Sequence, residues 1–573
     1  MARSYSADCR VIFYPFKEEI TINITREVAL SSFRVDASVD VLDASTSKPK
    51  GGVGSFQITL GSQHNYKSIL QPGCWCMIFM SESTIHGPVN CAPDGGLKMV
   101  GIVRSIRRIE NTDVSGIRMV RYTVSGTDFH SGLTNPIYVN SNLTMVANGS
   151  GSSLTSAMLA LTNVLRKSQK PAEMVQNLID VLIGTPKYSV NEGTKGVSIG
   201  NPGRQGQPFG IPPTMSIDLL GKRAEGDYFT AILTSFLQTN LVGSTYLQSD
   251  IGNMASAWSL IQSYSHPILN EVYTDLLPVD TGYGVRLTPS IVLRAIPFSS
   301  DRKIDPSVIL LSDAGANSTP IRKKNRAFYD KKNKEPGDKT PPGTGSHFYI
   351  SRRIYEEDIL SFNSGRSDRE RFNFFFCPSN YATFTTEASL LNHLIKTNGY
   401  KSFMDEQSIA RNGLRPFVES SNYMIGSTDS TEKINVIVRD LWVNAHLFEN
   451  GVLQVVGTKE AIPVGTNIAL DDRGWLAHVE QVDNNFTVSN SGGAVYRTFR
   501  TTLAFSRLHY IDESSKKAMP VAFDDQLGAQ IDSDWDRGAS FTEFPGNYGG
   551  RETDDPGVFS NDRTTLRELP GLK

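Results

Sequence analysis

Val100–Ile109 reads VGIVRSIRRI and Met119–Gly126 reads MVRYTVSG. Both alternate apolar and polar side chains, the period-two pattern of a strand with one buried face. Turn signals at Asn111–Gly116 separate the two, and similar signals at Pro49–Gly52, Gln71–Gly73 and Pro93–Gly96 punctuate the stretch before them. Short strands at this spacing predict a small barrel or sandwich over residues 1–145.

Moving outward, the period changes at 152–184. Leu154, Met158, Leu161 and Leu165 recur at helical spacing after a capping Ser152 or Ser153, and Pro171 opens a second helix carrying Val175, Leu178 and Leu182. Helices are also predicted over Tyr228–Gln238 and Met254–Ser263, with strands at Gly284–Pro297. Residues 146–300 thus form a helical and mixed region. Residues 301–346 hold RKKNRAFYDKKNKEPGDKTPPGTG, with eight Lys/Arg against three Asp/Glu, and read as an exposed basic loop. A second mixed region spans 347–430. In 431–515, Ile434, Val438, Leu441, Ala445 and Phe448 predict a helix over Thr431–Asn450 with Gly451 as its C-cap. Strands follow at Leu453–Gly457, Gly465–Leu470, Ala477–Phe486 and Arg497–Phe505, making a second barrel-like unit. Residues 516–573 read as an extended arm; from 521 on they carry eleven Asp/Glu, five Lys/Arg and scattered aromatics. The fold class is therefore α+β and β-dominated, with two small β-barrel-like domains and intervening helical and mixed regions.

At 573 residues the chain is too long for one core. Its 57 Lys/Arg nearly balance 59 Asp/Glu, so net charge directs it neither to nucleic acid nor to an anionic membrane. No stretch approaches 18 apolar residues and no secretory leader is visible, so a reducing cytoplasm is the expected place of synthesis. Five cysteines exclude a dense disulfide framework.

Chemistry-bearing patterns are sparse. Cys74, Cys76, His86 and Cys91 form the one metal-like set, but in GCWCMIF alternation puts Cys74 and Cys76 on one strand face, which suits small buried thiols better than a ligand knuckle. No cofactor or metal is expected. HExxH and GxxxxGK[ST] patterns are absent. The carboxylate pairs Glu356-Glu357 and Asp471-Asp472 read as solvated rather than as a glycosidase pair, and His266 and His478 as structural.

The order of segments resembles the hub family of phage tail baseplates, which includes the hub part of type VI secretion spike proteins. The resemblance is carried by LQPGCWCMIFM (70–80), MVGIVRSIRRIE (99–110) and RYTVSGTDF (121–129), the last with Gly126 and Asp128. SAWSLIQSYSHPILNEVYTD (256–275) and VLRAIPF (292–298) supply Asn270, Glu271, Asp275, Arg294 and Pro297. ISRRIYEEDILSFNSGRSDRERFNFFFC (350–377) and SIARNGLRPF (408–417), with Gly413, Arg415 and Pro416, come next, and LWVNAHLFENGVLQVVGTKEAIPVGTNIAL and FRTTLAFSRL close the series. The resemblance spans about 10–510. It implies a non-enzymatic virion protein: a homotrimeric ring joining a six-fold tail tube protein to a three-fold central spike protein, in contact with other baseplate proteins. A tail-associated peptidoglycan hydrolase and a distal tail or fibre adaptor are the alternatives. Asn270 and Glu271 are expected to satisfy loop backbone groups past a helix end, Gly413 to supply an unusual backbone angle, and the acidic arm to order against the spike or a neighbouring protein.

Overall fold

Alternation decides which residues enter the sheet and which face they show. The computed structural model describes residues 7–21, 24–29, 35–85, 91–112, 116, 118–134, 136–138, 175, 234–237, 254–265, 268–280, 285–296, 350–376, 404–418, 438–439, 441–491, 494–511 and 518–521. The basic loop, the acidic arm and the helices expected at 152–184, Val175 aside, lie outside them.

The first strand-rich half contains β1 (Asp8–Tyr14), the hairpin β2 (Phe16–Thr21) and β3 (Ile24–Ala29), β4 (Val35–Asp36), β5 (Val41–Pro49), β6 (Ser55–Leu60), the short helix α1 (Tyr66–Ile69), β7 (Trp75–Ser81), β8 (Leu97–Thr112) and β9 (Arg118–Asp128). The middle holds β10 (Pro136–Tyr138), β11 (Thr234–Leu237), β12 (Met254–Ser256), α2 (Ala257–Tyr264), β13 (Asn270–Asp280) and β14 (Val285–Ala295). The second half contains β15 (Ile350–Ile354), β16 (Ile359–Gly365), β17 (Phe374–Phe376), α3 (Glu406–Asn412), β18 (Pro416–Val418), β19 (Glu449–Val456), β20 (Asn467–Leu470), β21 (Trp475–Ser491), β22 (Ala494–Ile511) and β23 (Ala518–Pro520). This is a β-dominated α+β chain. Among the described residues no strand pairing closes either half; both belong to one 14-stranded sheet whose main path runs β16-β19-β22-β21-β5-β6-β9-β8-β7-β1-β4.

The halves repeat one another. In the first the spatial order is β5-β6-β9-β8-β7-β1; in the second it is β16-β19-β22-β21-β20-β15, and the strands follow the same chain order in both. Register irregularities recur at matching places: Val41/Asp43 and Ile359/Ser361 where the halves begin, Val103/Ser105 and Val479/Gln481 in the long hairpins. A left-handed glycine precedes the matching strand in each. Gly73 (φ 97°) donates to Val103 O and Gly465 (φ 74°) to Val479 O, at 2.7 and 2.8 Å. The one departure is β15, which pairs β20 in parallel where β1 pairs β7 antiparallel. Ring and glycine trade places across the repeat: Phe56 lies opposite Gly126, while Gly451 lies opposite Phe505.

The two halves meet where β21 pairs with β5, from Gln481↔Pro49 to Thr487↔Asp43. Buried side chains extend the joint: Asn484 Nδ2 donates to Thr46 Oγ1 (3.2 Å) and Thr501 Oγ1 to Asn484 Oδ1 (2.9 Å). Phe486 and Phe499, on second-half strands, complete the core formed by Val11, Phe13, Ile58, Leu60 and Val124 of the first. The hairpin β13–β14 is a wedge. Leu276 and Leu287 pack on Met77, Phe79 and Val100 of the first half, while Tyr273, Leu277 and Val292 pack on Leu453, Val479 and Leu503 of the second.

Two helix expectations are corrected. Within Tyr228–Gln238 the described residues Thr234–Leu237 form β11, paired in parallel with Ser290–Leu293; the backbone pairing offered by β14 overrides a local helical pattern. The helix over Thr431–Asn450 has helical residues at 438–439 and 441–442, then a 3-10 turn at Ala445–Leu447, and β19 starts at Glu449. Gly451 is a strand residue, not a C-cap. A Cβ there would lie 2.0 Å from Asn363 O, so the close backbone approach of β19 to β16 explains the glycine.

Gly126 is under the same constraint. A Cβ there would meet Ile102 O at 2.2 Å and the Phe56 ring at 2.5 Å. Gly126→Ala should cost about 2–3 kcal/mol through overpacking, measured as a shift of the urea midpoint with an unchanged slope.

Candidate functional site

Strand parity carries several charged groups inward at the seam. In β5, Ala44, Thr46 and Lys48 are buried in alternation; in β9, Tyr122, Val124, Gly126 and Asp128 are. The two series end beside each other, so Lys48 and Asp128 form an internal ion pair, Nζ to Oδ2 2.5 Å. Lys48 also donates to Thr274 Oγ1 of β13 at 3.1 Å, so one ammonium joins the first half to the wedge. His130 follows, its Nδ1–H donating to Gly52 O (3.0 Å) and its ring edge-on to Trp258 of α2. Burial, with Lys48 nearby, lowers its pKa to about 4 and keeps the imidazole neutral.

One turn further, Lys50 Nζ bridges Glu271 of β13 (3.1 Å) and Glu480 of β21 (2.9 Å). Burial opposes its charge, but the two carboxylates outweigh it and hold its pKa above the ordinary value. This cation therefore contacts all three parts of the chain. Asp275 completes the seam. Its Oδ2 accepts from Val464 N (2.6 Å), in the loop before β20, and its Oδ1 from Leu276 N (2.7 Å). Burial raises its pKa to about 6, against the opposing pull of Lys48 and the two amides. Asn270 Nδ2 donates to Ser265 O (2.8 Å), the carbonyl that ends α2, while Ser256 and Ser259 form a reciprocal cap at its start. Arg294 stands opposite Glu271 in the β13–β14 register.

The structure thus brings Gly126, Asp128, Asn270, Glu271 and Asp275 to one seam. Gly413, Arg415 and Pro416 lie apart from it. Gly413 (φ 76°) ends α3, Arg415 pairs with Asp368 (2.8 Å) and its backbone N–H donates to Asn373 Oδ1 (2.7 Å), and Pro416 is opposite Phe374. Pro297 and His86 lie outside the described residues. Cys74 and Cys76 face the first-half core and Cys91 the wedge-facing core, on the other side of β7. Burial pushes the Cys74 thiol up to about 12 and raises that of Cys76 well above its ordinary value. The acidic pairs are engaged at the surface: Asp471 with Arg353, Glu356 with Arg473, and Asp472 accepting from Glu356 N.

Lys48, Lys50, Thr274 and Glu480 were not singled out from the sequence. The available signal was parity: in VLDASTSKPK, Lys48 continues the inward phase of Ala44 and Thr46. A lysine there must find an anion.

No protein-family model matches the chain, and no curated protein matches it. Among solved structures, the prophage tail protein gp18 from Listeria monocytogenes is similar (7% identity, TM-score 0.34), the alignment covering 87% of this chain and 94% of that one. So is the E. coli c3393 protein, a component of the type VI secretion system described as similar to T4 tail proteins gp27 and gp5 (7%, 0.31, covering 84% and 76%). A Francisella PdpA–VgrG complex gives 9% and 0.36, covering 88% and 58%. The structural neighbours are thus a phage tail protein, a type VI secretion component and a VgrG complex.

Two outcomes follow from the seam. Asp275 keeps its proton up to about pH 6 when folded, against 3.8 ordinarily. Its contribution to stability is full below 3.8 and is lost as pH rises through about 6; Asp275→Asn should flatten that part of the stability–pH curve, read by chemical denaturation at each pH. Lys48→Ala strands Asp128 in the interior and should cost about 3–5 kcal/mol, whereas Asn270→Ala, which frees one helix-end carbonyl, should cost about 1–2 kcal/mol; thermal melts of both variants check the order.

Proposed function

We propose that the chain is a structural hub subunit of a phage tail baseplate, acting as a homotrimeric ring and not as an enzyme. The single observation that carries this reading is the repeat. Each chain holds two halves of like strand order, joined by strand pairing into one sheet, so three chains present six like units. Such a ring matches a six-fold tail tube protein on one side and a three-fold central spike protein on the other. The ordered segments from LQPGCWCMIFM to FRTTLAFSRL support the same reading, and its place of work is the virion.

The chemistry of the sheet's faces suits a passage. The face turned away from the cores is lined across the seam by Ser45, Ser47, Gln57, Ser125, Asp483 and Asn485, around an open groove of about 740 Å³. Hydroxyls and amides of this kind keep water bound along the groove. The buried charges serve rigidity: they lock both halves to the wedge, so that force on one half is carried to the other.

Native mass measurement of the purified full chain, alone and with its tail proteins, tests the proposal. Three copies per complex is the expected result. A dimer that persists across a wide concentration range, or six or more copies per tail, contradicts it.

A further inference from the structure

Register brings three residues into line across three strands. Ser47 of β5 pairs with Ser55 of β6, and Ser55 with Thr127 of β9. One position along, Lys48, Gly54 and Asp128 stand side by side, with Asp128 N donating to Gly54 O at 3.0 Å. Gly54 has no side chain, and a Cβ there would lie 2.9 Å from Asp128 Oδ2. The lysine and aspartate side chains therefore meet over the glycine. Both are shut from bulk water, with 9% and 3% of their side chains exposed, and the Phe129 ring stands 5.6 Å from Nζ.

Hydrogen bonds fix how the two groups face each other. Lys48 Nζ donates to Thr274 Oγ1 (3.1 Å), reaches Gly52 O at 3.5 Å and donates to Asp128 Oδ2 at 2.5 Å. These three contacts use all three N–H directions. When the proton in the last of them passes to Oδ2, the freed lone pair points at the Asp128 carboxyl. Asp128 Oδ1 has no hydrogen-bond partner among the described residues. As half of a carboxylate it carries charge in the interior, whereas as an amide oxygen it would be neutral.

We propose that Lys48 and Asp128 condense into an intramolecular amide, an isopeptide bond from Nζ to Cγ, with the ion pair as its precursor. One Nζ proton passes to Oδ2, the neutral amine attacks Cγ, and the N–C bond forms. A second Nζ proton then reaches Oδ2, the Cγ–Oδ2 bond breaks, and water leaves. The last N–H stays on Thr274 Oγ1 and Oδ1 becomes the amide oxygen, so atoms and charge balance with no added reagent. Holding amine and carboxyl in contact supplies the proximity that the same groups lack when free in water. A cavity of about 30 Å³, walled in part by Lys48 and Asp275, has room for the departing water. Asp275 is a buried carboxyl coupled electrostatically to both partners, and it relays the second proton. The product ties the end of β5 to the end of β9, 80 positions apart, beside the wedge. Force that would part an ion pair leaves such a staple intact.

The test is the mass of the purified full chain, measured unfolded, beside that of Lys48→Arg, which keeps the cation but replaces the amine with a far weaker nucleophile. The wild-type chain should be lighter than its sequence requires by one water, and Lys48→Arg should have its full mass. A protease digest of the wild-type chain should yield one branched peptide joining residues around 48 to residues around 128, a result that needs no variant to fold. A wild-type chain at full mass after prolonged incubation in the folded state overturns the proposal. So does a loss of water that persists in Lys48→Arg. Neither result touches the hub reading, which is judged on copy number.

Discussion

The pairing of β21 with β5 is the constraint on which the rest of the structure depends. Without it the chain would be two separate β units with open edges. With it, Phe486 and Phe499 enter the first half's core and the sheet becomes one mechanical body. The Asn484 side chain, bonded to both Thr46 and Thr501, shows how the joint tolerates buried polarity: each amide group meets a hydroxyl, so no donor is stranded.

A continuous sheet alone would flex at this seam. The β13–β14 wedge prevents it by contacting both halves, and its polar residues are arranged as clamps. Lys48 is held by Asp128 and Thr274, Lys50 by Glu271 and Glu480, and Asp275 by the amide of Val464. Buried pairs of this sort add little net stability, because desolvation offsets the Coulomb attraction. What they add is discrimination: any arrangement that separates the parts leaves a charge in the interior without its partner.

Much of the fold was legible in alternation. VGIVRSIRRI and MVRYTVSG read as strands and are β8 and β9; Leu453–Gly457, Gly465–Leu470, Ala477–Phe486 and Arg497–Phe505 fall on β19 to β22. What alternation did not show was length and pairing. In Thr487–Ser491 only Val488 is apolar, so little local alternation marks that stretch as strand. Thr234–Leu237 read as helix because its parallel partner lies more than 50 residues away. Asn270 and Glu271 were visible as a polar pair in a packing position, and Asp128 and Asp275 only through the resemblance. Their partners were not, since Lys48–Asp128 and Asp275–Val464 are separated by 80 and 189 residues. The repeat was hidden for a similar reason. Phe56 over Gly126 and Gly451 beneath Phe505 solve one packing problem with the residues exchanged, which leaves no sequence identity to find.

Six like units from three chains is the central claim, and an image of the purified assembly along its axis tests it most directly. The account predicts electron-microscopy class averages showing a closed ring of six similar lobes whose true symmetry is three-fold, with alternate lobes distinguishable. A two-fold particle, or an open filament at every concentration, would contradict it.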